Sequence, residues 1–178
     1  MMSKFNLDEY NPVDSDKFFL DTNVWMYLYC SIGNYKEDIV DKYNELYYKI
    51  LDSGASIYTC ALQLSEFFNA YCKLEYNITK EAKGYNNYKR DFRDTEQFIE
   101  LSEQIQMIIK NKILKNSYRL DDLFNDINID DIFTIDKGFD FNDQFFTLLC
   151  EKYEISMVSN DRDILKNAET IDVLTALK

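Results

Sequence analysis

Four carboxylates stand where apolar runs change character. Asp21 follows Phe18-Phe19-Leu20 and precedes Thr22-Asn23 and a second apolar run. Glu66 lies between Leu64 and Phe67, on a face that is otherwise apolar. Asp143 sits in the first turn of FNDQFFTLLCEKY, and Asp161 follows Ser159-Asn160 at the end of ISMVS. In an open α/β sheet, ligands bind beyond the carboxyl ends of the strands. Asp21 and Asp161 end strand-like runs, while Glu66 lies about one turn into a helix-like run and Asp143 in the first turn of another, so all four are expected near one sheet edge. Four acids converging there repel one another unless a cation joins them. Hard dications, Mg²⁺ or Mn²⁺, prefer such oxygen donors. A magnesium–carboxylate site can hydrolyse phosphodiesters without histidine, and this chain has none.

The missing histidine also excludes a Ser-His-Asp triad and any Cys-His nucleophile. Cys30, Cys60, Cys72 and Cys150 form no CxxC pair, so a zinc site is not expected and the four read as small buried hydrophobes.

The elements that must position the acids follow from periodicity. Residues 17–20 read as a buried strand and 23–31 as a helix with Val24, Tyr27 and Leu28 at helical spacing. Ile39, Tyr43, Leu46, Tyr47, Ile50 and Leu51 recur at three and four residues, which predicts a helix over 36–52 ended by Gly54. A strand is expected over 56–61, helices over 62–76, 95–115 and 141–153, a strand over 154–160 and a last one within 170–177. Alternation of strand and helix argues an α/β fold with a mainly parallel sheet. Residues 1–16 are polar and hold the only proline, so they read as an extension that wraps the domain or frays. Residues 17–178 form a single domain, a size that supports a real core. No apolar run is long enough to span a bilayer and the N-terminus lacks a signal-like apolar stretch, so a cytoplasmic protein is expected.

The net charge of −12 opposes nucleic-acid binding overall. Two segments go against it. Residues 80–93 carry Lys80, Lys83, Lys89, Arg90 and Arg93 against two acids. Residues 110–119 carry Lys110, Lys112, Lys115 and Arg119 against none. They read equally as solvated helix faces or as a surface for RNA phosphates. Tyr85 and Tyr88 could stack on unpaired bases, though packing is the commoner use.

FFLDTNVWMYL, LQLSEFFNAY, FDFNDQFFTLLCEKY and MVSNDRDI, in this order, resemble the four blocks of the PIN-domain ribonucleases over roughly residues 17–175. The resemblance implies a three-layer α/β/α fold and Mg²⁺- or Mn²⁺-dependent endoribonuclease activity. Water activated at the metal would cut the RNA and leave a 5′-phosphate. It also implies a possible place among VapC-type toxins, with a small antitoxin protein as partner and often a homodimer. Matched residue by residue, Asp21, Glu66, Asp143 and Asp161 are the catalytic, metal-holding acids. Thr22, Asn23, Ser159 and Asn160 support them, and Asp163 is a frequent extra acid. Asp140 is a rival for the third position. The chain departs from the pattern in its length, its polar arm and its long middle region, 77–130.

Each acid also has a purely structural alternative. Asp21 could be a helix cap, Glu66 a surface residue, Asp143 a charge at a helix N-terminus, and Asn160–Asp163 a turn. Two rival functions remain open: a PIN-like binding module with little or no catalysis, and a phosphotransfer protein with a nucleophilic Asp21. The latter normally needs an acid two residues on, where this chain has Asn23.

Overall fold

A computed structural model describes residues 3–133 and 140–177. The described residues form one sheet of six strands: β1 (Lys4–Asn6), β2 (Lys17–Leu20), β3 (Ser56–Thr59), β4 (Tyr118–Arg119), β5 (Ser156–Val158) and β6 (Val173–Thr175). Their order is β1-β6-β5-β2-β3-β4, and every pair is parallel. The helices are α1 (Thr22–Tyr29), α2 (Glu37–Ser53), α3 (Ala61–Lys83), α4 (Glu96–Ile108), α5 (Ile129–Ile132), α6 (Phe141–Tyr153) and α7 (Arg162–Asn167).

An all-parallel sheet must be covered on both faces, and the side chains show how. Along β2, Phe18 and Leu20 enter one core with Trp25 of α1, Tyr43 and Ile50 of α2, and Phe67 of α3. Phe19, between them, enters a second core with Phe145, Phe146 and Leu149 of α6 and Ile164 of α7. β5 and β6 divide the same way: Val158 and Leu174 go to the first core, Met157 and Val173 to the second. Three layers follow, helix on sheet on helix, as the sequence led one to expect. All four cysteines are free and buried.

β2 and α6 begin and end where periodicity placed them, and α2 stops at Gly54, whose φ of 79° is the left-handed conformation of a helix C-cap. Other parts differ. The polar arm supplies β1, which pairs with β6 at the sheet edge, and a following 3-10 turn whose Leu7 is buried. α3 runs seven residues beyond its expected end and includes Lys80 and Lys83. It extends beyond the site because α4 packs along it, with Gln97 Nε2 donating to Glu75 Oε1 at 2.6 Å. Two short π turns, Tyr88–Phe92 and Ile109–Ile113, flank α4. Among the described residues no helix is long and apolar enough to cross a membrane.

Candidate active site

From β2 the chain proceeds outward to β3 and β4, then returns to the other side of β2 to place β5. The order reverses between β2 and β5, and in open α/β sheets ligands bind at such a reversal, beyond the strands' carboxyl ends. Asp21 and Asp161 lie there. The backbone ties the corner together: Asp21 N donates to the Val158 carbonyl at 2.9 Å.

Asp21 is only 7 % exposed, and both its oxygens are engaged. Oδ1 accepts from Thr22 N at 2.6 Å, and Oδ2 accepts from Ser159 Oγ at 2.6 Å and from Asn23 Nδ2. Ser159, fully buried, links the two strand ends: it donates to Asp21 and accepts from Asp161 N at 3.0 Å. Asn160 N donates to Asn23 Oδ1 at 3.2 Å, and Asn160 Nδ2 to the Tyr27 hydroxyl at 3.1 Å. Thr22, Asn23, Ser159 and Asn160 thus all converge on the Asp21 corner. Asp163 does not; its carboxylate faces Lys166 at 3.6 Å.

Two residues of this corner were not singled out by sequence. Tyr43 of α2 donates its hydroxyl to the Ser159 carbonyl at 3.0 Å and accepts from Ala176 N at 3.2 Å. Gln63 of α3 is fully buried. Its Nε2 donates to the Leu20 carbonyl at 2.6 Å, and its Oε1 accepts from Thr59 Oγ1 at 2.7 Å. Gln63 therefore holds the last strand residue before Asp21, a polar duty hidden inside an apolar run.

Glu66 comes from the second turn of α3 and Asp143 from the first turn of α6. Asp140 is the N-cap of α6: its Oδ1 accepts from Asn142 N and Asp143 N, while Asp143 Oδ2 faces Asp140 N. Asp140 is exposed and Asp143 half-buried. Phe139, which begins the third sequence block, lies outside the described residues.

The acids affect one another's charge. Burial pushes the Asp21 carboxyl up to about 6; the Ser159 hydroxyl and Thr22 N–H oppose the rise, while the charges of Glu66 and Asp161 add to it. Burial pushes Asp143 up to about 7, with the charges of Asp140, Asp21 and Asp161 adding and the Asp140 N–H opposing. Glu66 is raised by burial and then by Asp140 and Asp143, against the Thr22 hydroxyl and Asn142. Its Oε2 is buried without a partner that meets hydrogen-bond geometry, and so is Thr22 Oγ1. Five carboxylates from four segments thus share one electrostatic environment. Part of each structural alternative also holds: Asp21, Asp140 and Asp161 each cap a helix, α1, α6 and α7.

The donor chemistry suits a hard dication, being all oxygen, with one buried carboxylate oxygen unpartnered. The set is open: among the described residues, no group of three or more His, Cys, Asp or Glu side chains is drawn together as a metal cage.

The basic segments lie elsewhere. α3 starts at the site and runs away from it, so Lys80 and Lys83 stand roughly 20–25 Å from Glu66 along the helix axis. Lys80 lies over the Tyr76 ring, Arg90 pairs with Asp91 at 2.6 Å, and Arg93 lies over the Phe98 ring. Lys89, Lys112 and Lys115 are exposed. Tyr85 and Tyr88 pack on Phe92, so their rings serve the core. Arg119, at the end of β4, pairs in register with Thr59 and brings a cation to the carboxyl edge. Comparison with known proteins adds no relative: no family model, curated protein or solved structure matches this chain.

Proposed function

We propose that this chain is a metal-dependent endoribonuclease of PIN type. One observation carries the reading: Asp21, Glu66, Asp143 and Asp161 come from four separate segments, and the charges of neighbouring acids raise the carboxyls of Asp21, Glu66 and Asp143. Such a gathering of buried and half-buried acids costs stability unless it serves a cation. Those four residues would hold Mg²⁺ or Mn²⁺, which supplies Lewis-acid stabilisation of the phosphoryl oxygen and lowers the pKa of water.

The protein's own part is orientation. Ser159, Thr22 N and Asn23 lock the Asp21 carboxylate, and Gln63 and Tyr43 lock the two strand ends from which Asp21 and Asp161 project. Burial of Asp21 and Ser159 keeps water from competing for those hydrogen bonds. A toxin role with a small antitoxin partner belongs to the same proposal.

The open spacing of the acids favours a second reading, a PIN-like nucleic-acid or protein binding module with little catalysis. RNA cleavage in Mg²⁺ or Mn²⁺ separates the two. Wild type should cut, and both Asp21→Asn and Glu66→Gln should lose more than about 100-fold, since even the partners that orient metal ligands are worth 10–100-fold. Equal cleavage by clean wild-type and Asp21→Asn preparations would overturn the nuclease reading.

A further inference from the structure

A groove of about 520 Å³ runs between β1 and α7. Lys4, Arg162 and Lys166 line it, with Asn6, Thr175 and the Phe5 ring between them, and none of its lining residues is acidic. In a chain of net charge −12, a hollow with three cations and no carboxylate is a local reversal of sign. Among the described residues, neither Lys4 nor Arg162 has an ion-pair partner. Lys166 meets Asp163 at 3.6 Å, an exposed pair that a competing anion displaces at little cost. Asp172, near the start of β1, accepts from Ser3 N at 2.8 Å and is not among the lining residues.

The groove's position gives it meaning. Arg162 directly follows Asp161, so one end of the groove lies a single residue from the candidate site. β1, the strand built from the polar arm, forms its outer wall and contributes Lys4. The cations of 80–83 are separated from the same site by much of the length of α3.

We propose that the β1–α7 groove holds the phosphate backbone of the RNA strand flanking the bond to be cut. Arg162 and Lys4 act as phosphate contacts, and the apolar floor near Phe5 carries the sugar or an unstacked base. This inference rests on the nuclease reading for the identity of the anion. It gives the polar arm a function, to complete a substrate channel whose other wall is α7.

The test is binding of a fluorescein-labelled single-stranded RNA by the full chain in EDTA, read by anisotropy between about 50 and 200 mM salt. The variants are Lys4→Glu/Arg162→Glu and the milder Lys4→Gln/Arg162→Gln, each checked for an unchanged thermal midpoint. Expected is at least a tenfold weaker Kd for the charge reversal and a smaller loss for the neutral pair. The log–log salt slope should flatten by about 1.4, the share of two phosphate contacts to a single strand. Wild-type affinity and slope in both variants would overturn the inference, as would the absence of RNA binding by wild type. Cleavage by Asp21→Asn tells the two readings apart. If that variant still cuts while the groove variants lose binding, the metal site falls and the groove stands. If that variant is inactive while the groove variants bind normally, the groove alone falls.

Discussion

The two halves of the candidate site are built on opposite principles. At the β2–β5 corner the acids are held by hydrogen bonds: Asp21 accepts three, and Asp161 Oδ1 accepts from Asp163 N at 2.6 Å. At the α3–α6 corner the acids are instead set against one another. Glu66 has a buried unpartnered oxygen, Asp140 and Asp143 face each other across a helix cap, the charges of both raise the Glu66 carboxyl, and that of Asp140 raises Asp143. The first corner is fixed before any ligand arrives. The second is left with a deficit of positive charge, which a dication would relieve.

The largest effect that tests this contrast is the pH dependence of stability in EDTA. A carboxyl pushed up to about 6 when folded contributes stability below its unfolded value near 4, and that contribution is lost as pH rises through 6. For buried Asp21 the loss is on the order of 3 kcal/mol, and Asp143, near 7, extends the window upward. Wild type should therefore weaken between about pH 4 and pH 8, and Asp21→Asn should show a flatter profile in chemical denaturation. Parallel profiles would mean that the Asp21 corner carries no cost of charge burial.

Next in size is Ser159→Ala, which cuts the link between the two strand ends. Cleavage should fall by about 10–100-fold, and the fold should lose about 1–3 kcal/mol because the Asp21 carboxylate and the Asp161 N–H lose a buried partner. Removing the Ser159 link in the fixed corner thus costs both activity and stability. Glu66→Gln, in the open corner, should lose activity while the thermal midpoint in EDTA holds or rises. The smallest effect is expected for Lys80→Glu/Lys83→Glu, where RNA affinity should change less than about twofold, since those charges lie well beyond a Debye length of roughly 8 Å from the acids. A large loss there would bring the α3–α4 projection back into the substrate path.

Legibility in the sequence divides along similar physical lines. β2, α2 and α6 bury long apolar faces, so periodicity alone placed them. β1 and β4 are three and two residues long, too short for any alternation to register, and both sit at sheet edges. The end of α3 escaped because residues 77–83 mostly leave the core, where the apolar pattern dissolves while helix-favouring residues continue. The acids were legible through their place at strand and helix ends. Gln63 and Tyr43 were not: one lies within an apolar helix run, and the other was counted among apolar residues for its ring. Only the three-dimensional approach of their polar atoms to Leu20 and Ser159 reveals their task.

The central claim is that the open corner and the fixed corner form one cation site. Calorimetric titration of Mn²⁺ into wild type, Asp21→Asn and Glu66→Gln tests it most directly. Binding by wild type that is lost in both variants is the expected result. Wild type that binds no Mn²⁺, or variants from either corner that bind it undiminished, would contradict the claim.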